Sequence, residues 1–495
     1  MRLPTTTIAA FATAPGRSGI AVLRLSGPAA ANIADRVFTA GRLPAEDFCE
    51  APAADRLSSL EGYRALYGYV HRPDRPDEPI DEAIALRFVA PRSYTGEDTV
   101  EFSVHGSAAV RQLLLESVVA AGAEVAGPGD FTRRAVLHGR KDLVQAEAIA
   151  DLIDATVSRS ARAALDQLSG RLSAVLAELR ETLYESLAAL HLAIEFPEHD
   201  EATPDTAHAY DTARQVGAGL DRLIRTHRQG RLLREGLAVV LSGAPNAGKS
   251  SLFNALVGEM RAIVTAHAGT TRDRVEVELD LDGLAIRLSD TAGLRPDAGE
   301  IESLGIEQTR RALETADLAF WLLDAAAPVY PGPQDLSSFP QDLTVWPILA
   351  QSDRLDKSRL DTAVQETAER WERLTGRPAA PDGTGLLLTS VPENRGLDRL
   401  RQRILVYFES LGGRETELSV VVTNVRHAAA LREARAWLRR IEDMEKQKLS
   451  ADRALPADVL VSWLQAAADE LAAIDGQLVD EEILDSLFSR FCVGK

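Results

Sequence analysis

"LSGAPNAGKSSLFNAL", residues 241–256, places Gly243 and Gly248 five positions apart and follows them directly with Lys249 and Ser250. An apolar run, Leu237 to Leu241, precedes the glycines, and an apolar run at helical spacing follows them, so the stretch reads as strand, glycine-rich turn, helix. Such a turn converges backbone N–H groups and a helix N-terminus on one anion. Lys249 would reach the outer phosphates of a nucleotide and Ser250 would hold Mg²⁺, with Asn246, Ala247, Gly248 and Ser251 completing the cradle. This part of the chain is therefore expected to be an α/β P-loop domain.

Working outward, "RVEVELDLDGLAIRLSDTAG" alternates through Val275, Val277, Leu279 and Leu281, turns at Asp282-Gly283, and alternates again through Leu284, Ile286 and Leu288. That is a hairpin delivering Asp290, Thr291, Ala292 and Gly293 to the phosphates. Asp290 would hold Mg²⁺ through water, and the Gly293 N–H would sense the terminal phosphate. Between P-loop and hairpin, "AGTTRD" (268–273) sets Thr270 and Thr271 where a switch loop would close over the metal. After the strands "LAFWLLDA" and "VWPILAQSD", Asp353 stands where an Asn-Lys-x-Asp motif ends, and its carboxylate suits the paired donors of guanine. Ala350 and Gln351 replace the Asn and Lys, which predicts looser base affinity and selectivity. The later base loop, "LTSVPENRG" (388–396), is irregular as well.

Leu294 follows "DTAG" where many small GTPases carry a water-orienting Gln, so another group must place the attacking water. Glu300, Glu302 and Glu307 are the nearby acids. Asn246 either ligates a monovalent cation beside the phosphates, replacing an arginine finger, or is a turn residue.

The chain has 495 residues with a net charge of −19, 26% charged and 45% hydrophobic residues, enough for about three domains. That charge argues against a generalised nucleic-acid binder and confines any RNA contact to patches. The candidate patches are Arg133, Arg134, Arg140 and Lys141, and Arg225, Arg228, Arg231 and Arg234, with solvated helix faces as the alternative. The sequence has no apolar run of membrane-spanning length and no signal-like start, so a cytoplasmic protein without membrane contact is expected. Cys49 and Cys492 are the only cysteines and are expected to be reduced thiols.

Short alternating runs with Gly and Pro turns mark residues 1–138 as α+β. From Asp142 the pattern turns helical, with Ile149, Leu152, Ile153, Leu172, Leu176, Leu179 and Leu183 in phase until Pro197; a second helical stretch spans about Asp205 to Arg234. The tail is helical again. One α-helical bundle, 139–233 with 411–495, is thus interrupted by an inserted nucleotide domain, 234–410.

The chain resembles the MnmE (TrmE) family of tRNA modification GTPases over nearly its whole length. The resemblance rests on "PGRSGIAVLRLSG" (15–27), "SYTGEDTVEFSVHG" (93–106), "GPGDFTRRAVLHGRKDLVQAEAIADLIDA" (127–155), the P-loop, "IVTAHAGTTRD", "DTAGLR" with "IESLGIE", and "FCVGK" (491–495). It implies an N-terminal domain, 1–138, that binds 5,10-methylenetetrahydrofolate or a related reduced folate and makes a homodimer. It further implies a GTPase domain that dimerises on GTP and K⁺, and a flavin-dependent MnmG/GidA-type FAD partner, forming a heterotetramer or larger complex that acts on tRNA. The product would be an aminomethyl or carboxymethylaminomethyl group on carbon 5 of the wobble uridine.

The resemblance also assigns residues. Asn246 and the stretch Thr265, Ala266, His267, Ala268, Gly269 and Thr270 would coordinate K⁺; Ser250 and Thr271 would bind Mg²⁺; Glu302 would position water. Arg24, Glu101, Arg140 and Lys495 would contact the folate, Arg24 meeting its glutamate carboxylate and Glu101 the donor edge of the pterin. Cys492 would be a thiol important for modification, against the plain alternative of a small buried apolar residue. Arg140 stands where the family commonly has Lys, and its wider fork alters that contact. A ribosome-assembly GTPase would explain the P-loop yet leave the first 140 residues and "FCVGK" without a role, and an ATPase is the reading left open by the missing Asn-Lys.

Overall fold

The computed structural model describes residues 5–41, 56–195, 206–263, 276–290, 311–379, 385–413, 420–451, 456–478, 481–489 and 491–495. The chain divides into two compact units, 1–150 with 471–495, and 151–470.

The first unit is built on β1 (Ile8–Phe11), β2 (Ser18–Ser26), α1 (Ala30–Asp35), β3 (Phe38–Ala40), β4 (Arg64–Arg72), β5 (Arg75–Phe88), β6 (Thr99–Gly106), α2 (Ala108–Ala120), β7 (Glu124–Val125), α3 (Asp130–Leu137) and the start of α4 (Leu143–Asp154). The seven strands form one sheet in the order β3-β4-β5-β6-β2-β1-β7. Strict alternation explains its faces. In β2, Ala21, Leu23 and Leu25 are buried against Val100, Phe102 and Val104 of β6, while Arg24 and Glu101, register partners across the two strands, stand on the other face. The register thus brings together two polar residues that are 77 positions apart.

The second unit holds α5 (Ser158–Leu168), α6 (Arg171–Glu195) and α7 (Thr206–Glu235), followed by the nucleotide-type domain: β8 (Leu237–Gly243), α8 (Lys249–Glu259), β9 (Arg261–Ala262), β10 (Glu276–Leu281), β11 (Leu284–Asp290), β12 (Leu318–Asp324), α9 (Pro333–Ser338), β13 (Thr344–Ala350), α10 (Lys357–Thr375), β14 (Leu387–Leu388) and α11 (Leu397–Phe408). Helices α12 (Val425–Ala451) and α13 (Ala457–Asp475) follow, and α14 (Glu481–Phe488) returns to the first unit. Helix α7 packs on both α6, which precedes it in sequence, and α12, which follows the nucleotide-type domain. On α12, Ala428, Leu431, Ala434, Leu438 and Ile441 are buried at three- and four-residue spacing, the stripe a bundle helix needs.

The helical run read from Asp142 onward is not continuous. It breaks at 155–157, where Val157 is extended, and again at Ser169-Gly170, where Gly170 is left-handed at φ +83° and ends α5. Apolar periodicity persists across both breaks, which is why the sequence pattern hides them.

The second sheet has the order β14-β13-β12-β8-β11-β10-β9, parallel from β14 through β11, with β10 antiparallel to its neighbours β11 and β9. Both faces are covered: Val239 and Leu241 of β8 with Leu318, Phe320 and Leu322 of β12 enter one core, and Val240, Ala319, Trp321 and Leu323 enter the other. Strand β8 lies between β11 and β12, where the order reverses, so the loop after it opens at the topological switch point. The hairpin turn falls on Asp282 (φ +50°) and Gly283 (φ +82°), left-handed at both positions as a primed two-residue turn demands.

Candidate functional site

The phosphate loop forms at the carboxyl end of β8. Gly243, Asn246 (φ +63°) and Gly248 (φ +96°) adopt left-handed backbone, and Gly248 caps α8. This curl turns successive N–H groups toward one centre at a helix N-terminus. Lys249 is buried, and its Nζ donates to the carbonyls of Gly243 (2.9 Å) and Ala244 (2.7 Å), holding the ammonium across the loop. Ser250 Oγ donates to Asp290 Oδ2 at 3.1 Å, and Asp290 is buried at the end of β11. A hydroxyl and a carboxylate so placed are the hard oxygen donors that Mg²⁺ takes, and Ser250 and Asp290 would hold it here. The residues present therefore fit a nucleotide triphosphate with Mg²⁺. Ala247 is buried beneath the loop, and Ser251 is exposed on the first turn of α8.

The base-reading loop follows β13. Gln351 turns at φ +57°, a short 3-10 turn carries Ser352–Arg354, and Asp353 Oδ1 accepts a 2.6 Å hydrogen bond from Ser390 Oγ. That bond, foremost, holds the Asp353 carboxyl below the usual carboxylate range. Ser390 belongs to the irregular second base loop and closes its own turn through reciprocal backbone bonds with Arg395. Gln351 Nε2 donates to the carbonyl of Asn246 at 2.8 Å, joining the base loop to the phosphate loop.

Thr265, Ala266, His267, Ala268, Gly269, Thr270 and Thr271 lie outside the described residues, as do Thr291, Ala292, Gly293, Leu294, Glu300, Glu302 and Glu307. The hairpin β10–β11 bridges these two segments, and Asp290 is the last described residue before the second of them.

The first unit carries the other cluster. Arg24 Nε donates to Glu101 Oε1 at 2.7 Å, with side chains 14% and 21% exposed. The guanidinium lies 5.2 Å from the Tyr94 ring centre and 5.6 Å from that of Phe131. Arg24 Nη1 is buried and has no hydrogen-bond partner among the described residues. An orphaned cationic donor costs free energy unless a ligand takes it. Arg24 and Glu101 pair directly, so a group that meets the Glu101 carboxylate would also lie beside the guanidinium. These groups would suit a planar heterocycle such as a pterin: Glu101 would accept from its donor edge, Arg24 Nη1 would donate to an acceptor, and Tyr94 and Phe131 would flank the group.

Lys495 reaches the same place. Its carbonyl accepts from Phe131 N at 3.2 Å, Pro128 and Val493 form a β-bridge, and Phe488 and Phe491 pack with Leu143 and Leu484. Gly494 is required here, since at φ +95° a Cβ would stand 2.1 Å from the Phe11 carbonyl. Burial, then Arg24, lowers the Lys495 ammonium from its ordinary range; Glu101 and Cys492 act the other way. Cys492 is an exposed thiol, so the buried apolar alternative does not hold. Arg140 is exposed, its stem against Gly96 in the loop that carries Tyr94. Tyr94 and Phe131 were not singled out from sequence; a cation between two aromatics needs the sheet register to be seen.

Several basic candidates are engaged internally. Arg134 is buried and pairs with buried Glu97 at 3.0 Å, which removes it from any RNA surface. Arg133 pairs with Asp485, Arg231 with Asp317, and Arg234 with Asp151. Arg225 and Arg228 are exposed. Among the described residues no helix is long and apolar enough to cross a membrane.

Two family models match: "GTP-binding protein TrmE N-terminus" over residues 7–140 and "MnmE helical domain" over residues 143–492. Relatives named tRNA modification GTPase MnmE align along the whole chain. That of Lactiplantibacillus plantarum is 35% identical and covers 100% of both chains; those of Salinibacter ruber and Geobacillus kaustophilus are 37% identical and cover 99% of both. Among solved structures, the G domain of the T. maritima FeoB iron transporter is 24% identical, covering 34% of this chain and 98% of its own, with a TM-score of 0.23, too low to bear on the fold.

Proposed function

The chain belongs to the tRNA modification GTPase MnmE family, and on that premise we propose that it is a K⁺-dependent GTPase that works with an FAD-carrying MnmG/GidA-type partner on carbon 5 of the tRNA wobble uridine. GTP hydrolysis in tRNA modification follows from the family. The finer chemistry is the proposal.

Arg24 carries it. A largely buried guanidinium with its Nε bonded, one orphaned donor and two aromatic neighbours supports a reduced-folate site formed by Arg24, Glu101 and Lys495, with Arg140 at its rim. A bound folate of the 5,10-methylene type supplies the one-carbon unit. Glu101 orients the pterin through its donor edge, Arg24 holds the opposite polarity, and the exposed Cys492 thiol lies three residues from Lys495.

In the GTPase domain, Gly248, Lys249 and the start of α8 bind the phosphates, while Ser250, Asp290 and Thr271 hold Mg²⁺. Asp353 reads guanine with its carboxylate fixed by Ser390. Asn246 with Thr265, His267 and Thr270 holds K⁺, which would neutralise charge that an arginine finger meets elsewhere. Gly293 senses the terminal phosphate and Glu302 places water. The protein acts as a cytoplasmic homodimer, and hydrolysis drives a domain rearrangement.

Steady-state GTP hydrolysis in KCl and in NaCl, with ATP as control and Glu302→Ala alongside, tests the switch half. Stimulation by K⁺ alone, lost in the variant, is expected; equal rates in both salts or equal use of ATP would overturn it. Fluorescence titration with a reduced folate tests the other half. Arg24→Ala should weaken binding by about a hundredfold, as loss of a charge-assisted contact does, and wild-type protein that binds no folate would remove the site.

A further inference from the structure

We propose that Gln351 is the positioning residue that fastens the base-reading loop of this chain to its phosphate loop, keeping Asp353 and the phosphate cradle in the register one nucleotide requires. Its amide nitrogen donates to the Asn246 carbonyl at 2.8 Å across 105 positions of sequence. The residues it joins are both non-glycine and both left-handed, Asn246 at φ +63° and Gln351 at φ +57°. Such backbone persists where surrounding contacts over-determine it.

The geometry on either side says what is being held. The Gln351 amide lies over the phosphate loop: a Cβ on Gly248 would stand 3.5 Å from Nε2 and 3.6 Å from the Ala350 methyl. On the other side, the Gln351 carbonyl accepts from Arg354 N at 3.1 Å, closing the turn that presents Asp353, and Ser352 N donates to Thr389 O at 3.1 Å. Ser390 then fixes the Asp353 carboxylate. A continuous set of hydrogen bonds therefore runs from Asn246 through Gln351 and the Asp353 turn to the loop at Thr389-Ser390. Ala350 offers only a methyl group to this arrangement, so the neighbouring amide makes the polar link to the phosphate loop.

The Gln351 bond is exposed as the protein stands. A nucleotide spanning both loops would cover it, so the bond gains weight when ligand binds, and its loss should appear in affinity rather than in turnover. Gln351 touches the P-loop main chain and acts on the nucleotide through it. The inference rests on the nucleotide-site reading of these loops.

Full-length wild-type protein and the Q351A, Q351E and Q351K variants would be titrated with mant-GDP and mant-ADP and assayed for GTP hydrolysis, with thermal melts of each. Q351A should weaken mant-GDP binding and raise the KM for GTP about tenfold, the worth of one hydrogen bond to a constrained carbonyl, with kcat within about twofold. Q351K, whose ammonium reaches the same carbonyl, should restore binding to within about threefold, while Q351E, which has no donor, should not. Wild-type affinity in Q351A, or Q351K as weak as Q351A, overturns the proposal. Wild-type protein that binds mant-ADP as tightly as mant-GDP would instead sink the guanine reading, and the order of the variants on whichever nucleotide binds would still decide the role of Gln351.

Discussion

Lys495 carries an ammonium in surroundings that disfavour it. Burial lowers its pKa first and Arg24 lowers it further, against smaller opposing effects of Glu101 and Cys492. Between that lowered value and the ordinary lysine value of 10.5, the unfolded chain binds more protons than the folded one, so the stability of the first unit rises with pH across that window. A ligand acceptor beside the ammonium would favour its charged form and reverse the shift, and binding would then take up a proton. Affinity for a reduced folate should accordingly fall as pH rises from the folded pKa toward the ordinary lysine value, approaching a tenfold loss per pH unit. Titrations across that range, with Lys495→Gln as reference, check this: the variant should be weak but nearly flat, and parallel slopes would show that another group titrates. At this scale the phosphate residues were legible, because glycine spacing and a following Lys-Ser have a local meaning. The Arg24, Glu101 and Lys495 cluster was reached through resemblance alone, since it forms only when β2 registers with β6 and a segment from the far end of the chain docks beside both.

The hairpin β10–β11 shows what elements add. Its alternation and Asp-Gly turn were readable, since period-two burial and left-handed turn residues are local properties. Where its tip lands was not. Gly283 O accepts from Arg159 N at 3.3 Å, Gly283 N donates to Asp280 Oδ1 at 2.7 Å, and a Cβ on Gly283 would stand 2.6 Å from Ser158 Oγ. The turn is therefore seated on the N-terminus of α5, and the same hairpin leads at its other end to Asp290. Gly283→Val should destabilise the second unit by about 2 kcal/mol, from a branched side chain at positive φ and its collision with Ser158. Gly283→Asn, which tolerates left-handed backbone but still carries a Cβ, should fall between the two. Urea unfolding of the full chain measures both. Equal stability of all three proteins would mean that the tip is not held by α5. The breaks at 155–157 and Gly170 escaped the sequence reading for a related reason, because each helix buries its own stripe and neighbouring stripes happen to stay in phase.

Over the whole molecule, an inserted domain between two helical stretches was apparent from the change of period alone. The grouping of 471–495 with the first unit was not, because it rests on contacts such as Pro128 with Val493 that no local pattern encodes. The manner of insertion was also hidden. Helix α7 runs 30 residues to Glu235, and only Gly236 separates it from β8, the strand that carries the phosphate loop. Asp317, whose side chain is 8% exposed, ties entry to exit: its carboxylate pairs with Arg231 of α7 and accepts from Ala238 N at 3.0 Å, and its carbonyl accepts from the Tyr407 hydroxyl of α11 at 3.1 Å. The Tyr407 hydroxyl also shares a 3.0 Å hydrogen bond with the Thr344 hydroxyl at the start of β13. A domain joined this way has no loose linker at its entry, so a rearrangement begun at the phosphates, as the proposed function requires, would be passed to α7. Asp317→Asn keeps an acceptor for Ala238 N but discharges the pair with the half-exposed Arg231, a loss of between about 1 and about 3 kcal/mol. The phosphate loop lies at the opposite end of β8, so GTP hydrolysis by the purified variant should stay within about twofold of wild type. Under the proposed function, what should fall is the yield of modified tRNA per GTP hydrolysed, measured with the proposed FAD-carrying partner present. Unchanged yield in a variant whose melt confirms the lost pair would mean that this joint does not transmit the switch, and the coupling would then have to pass through the hairpin seated on α5.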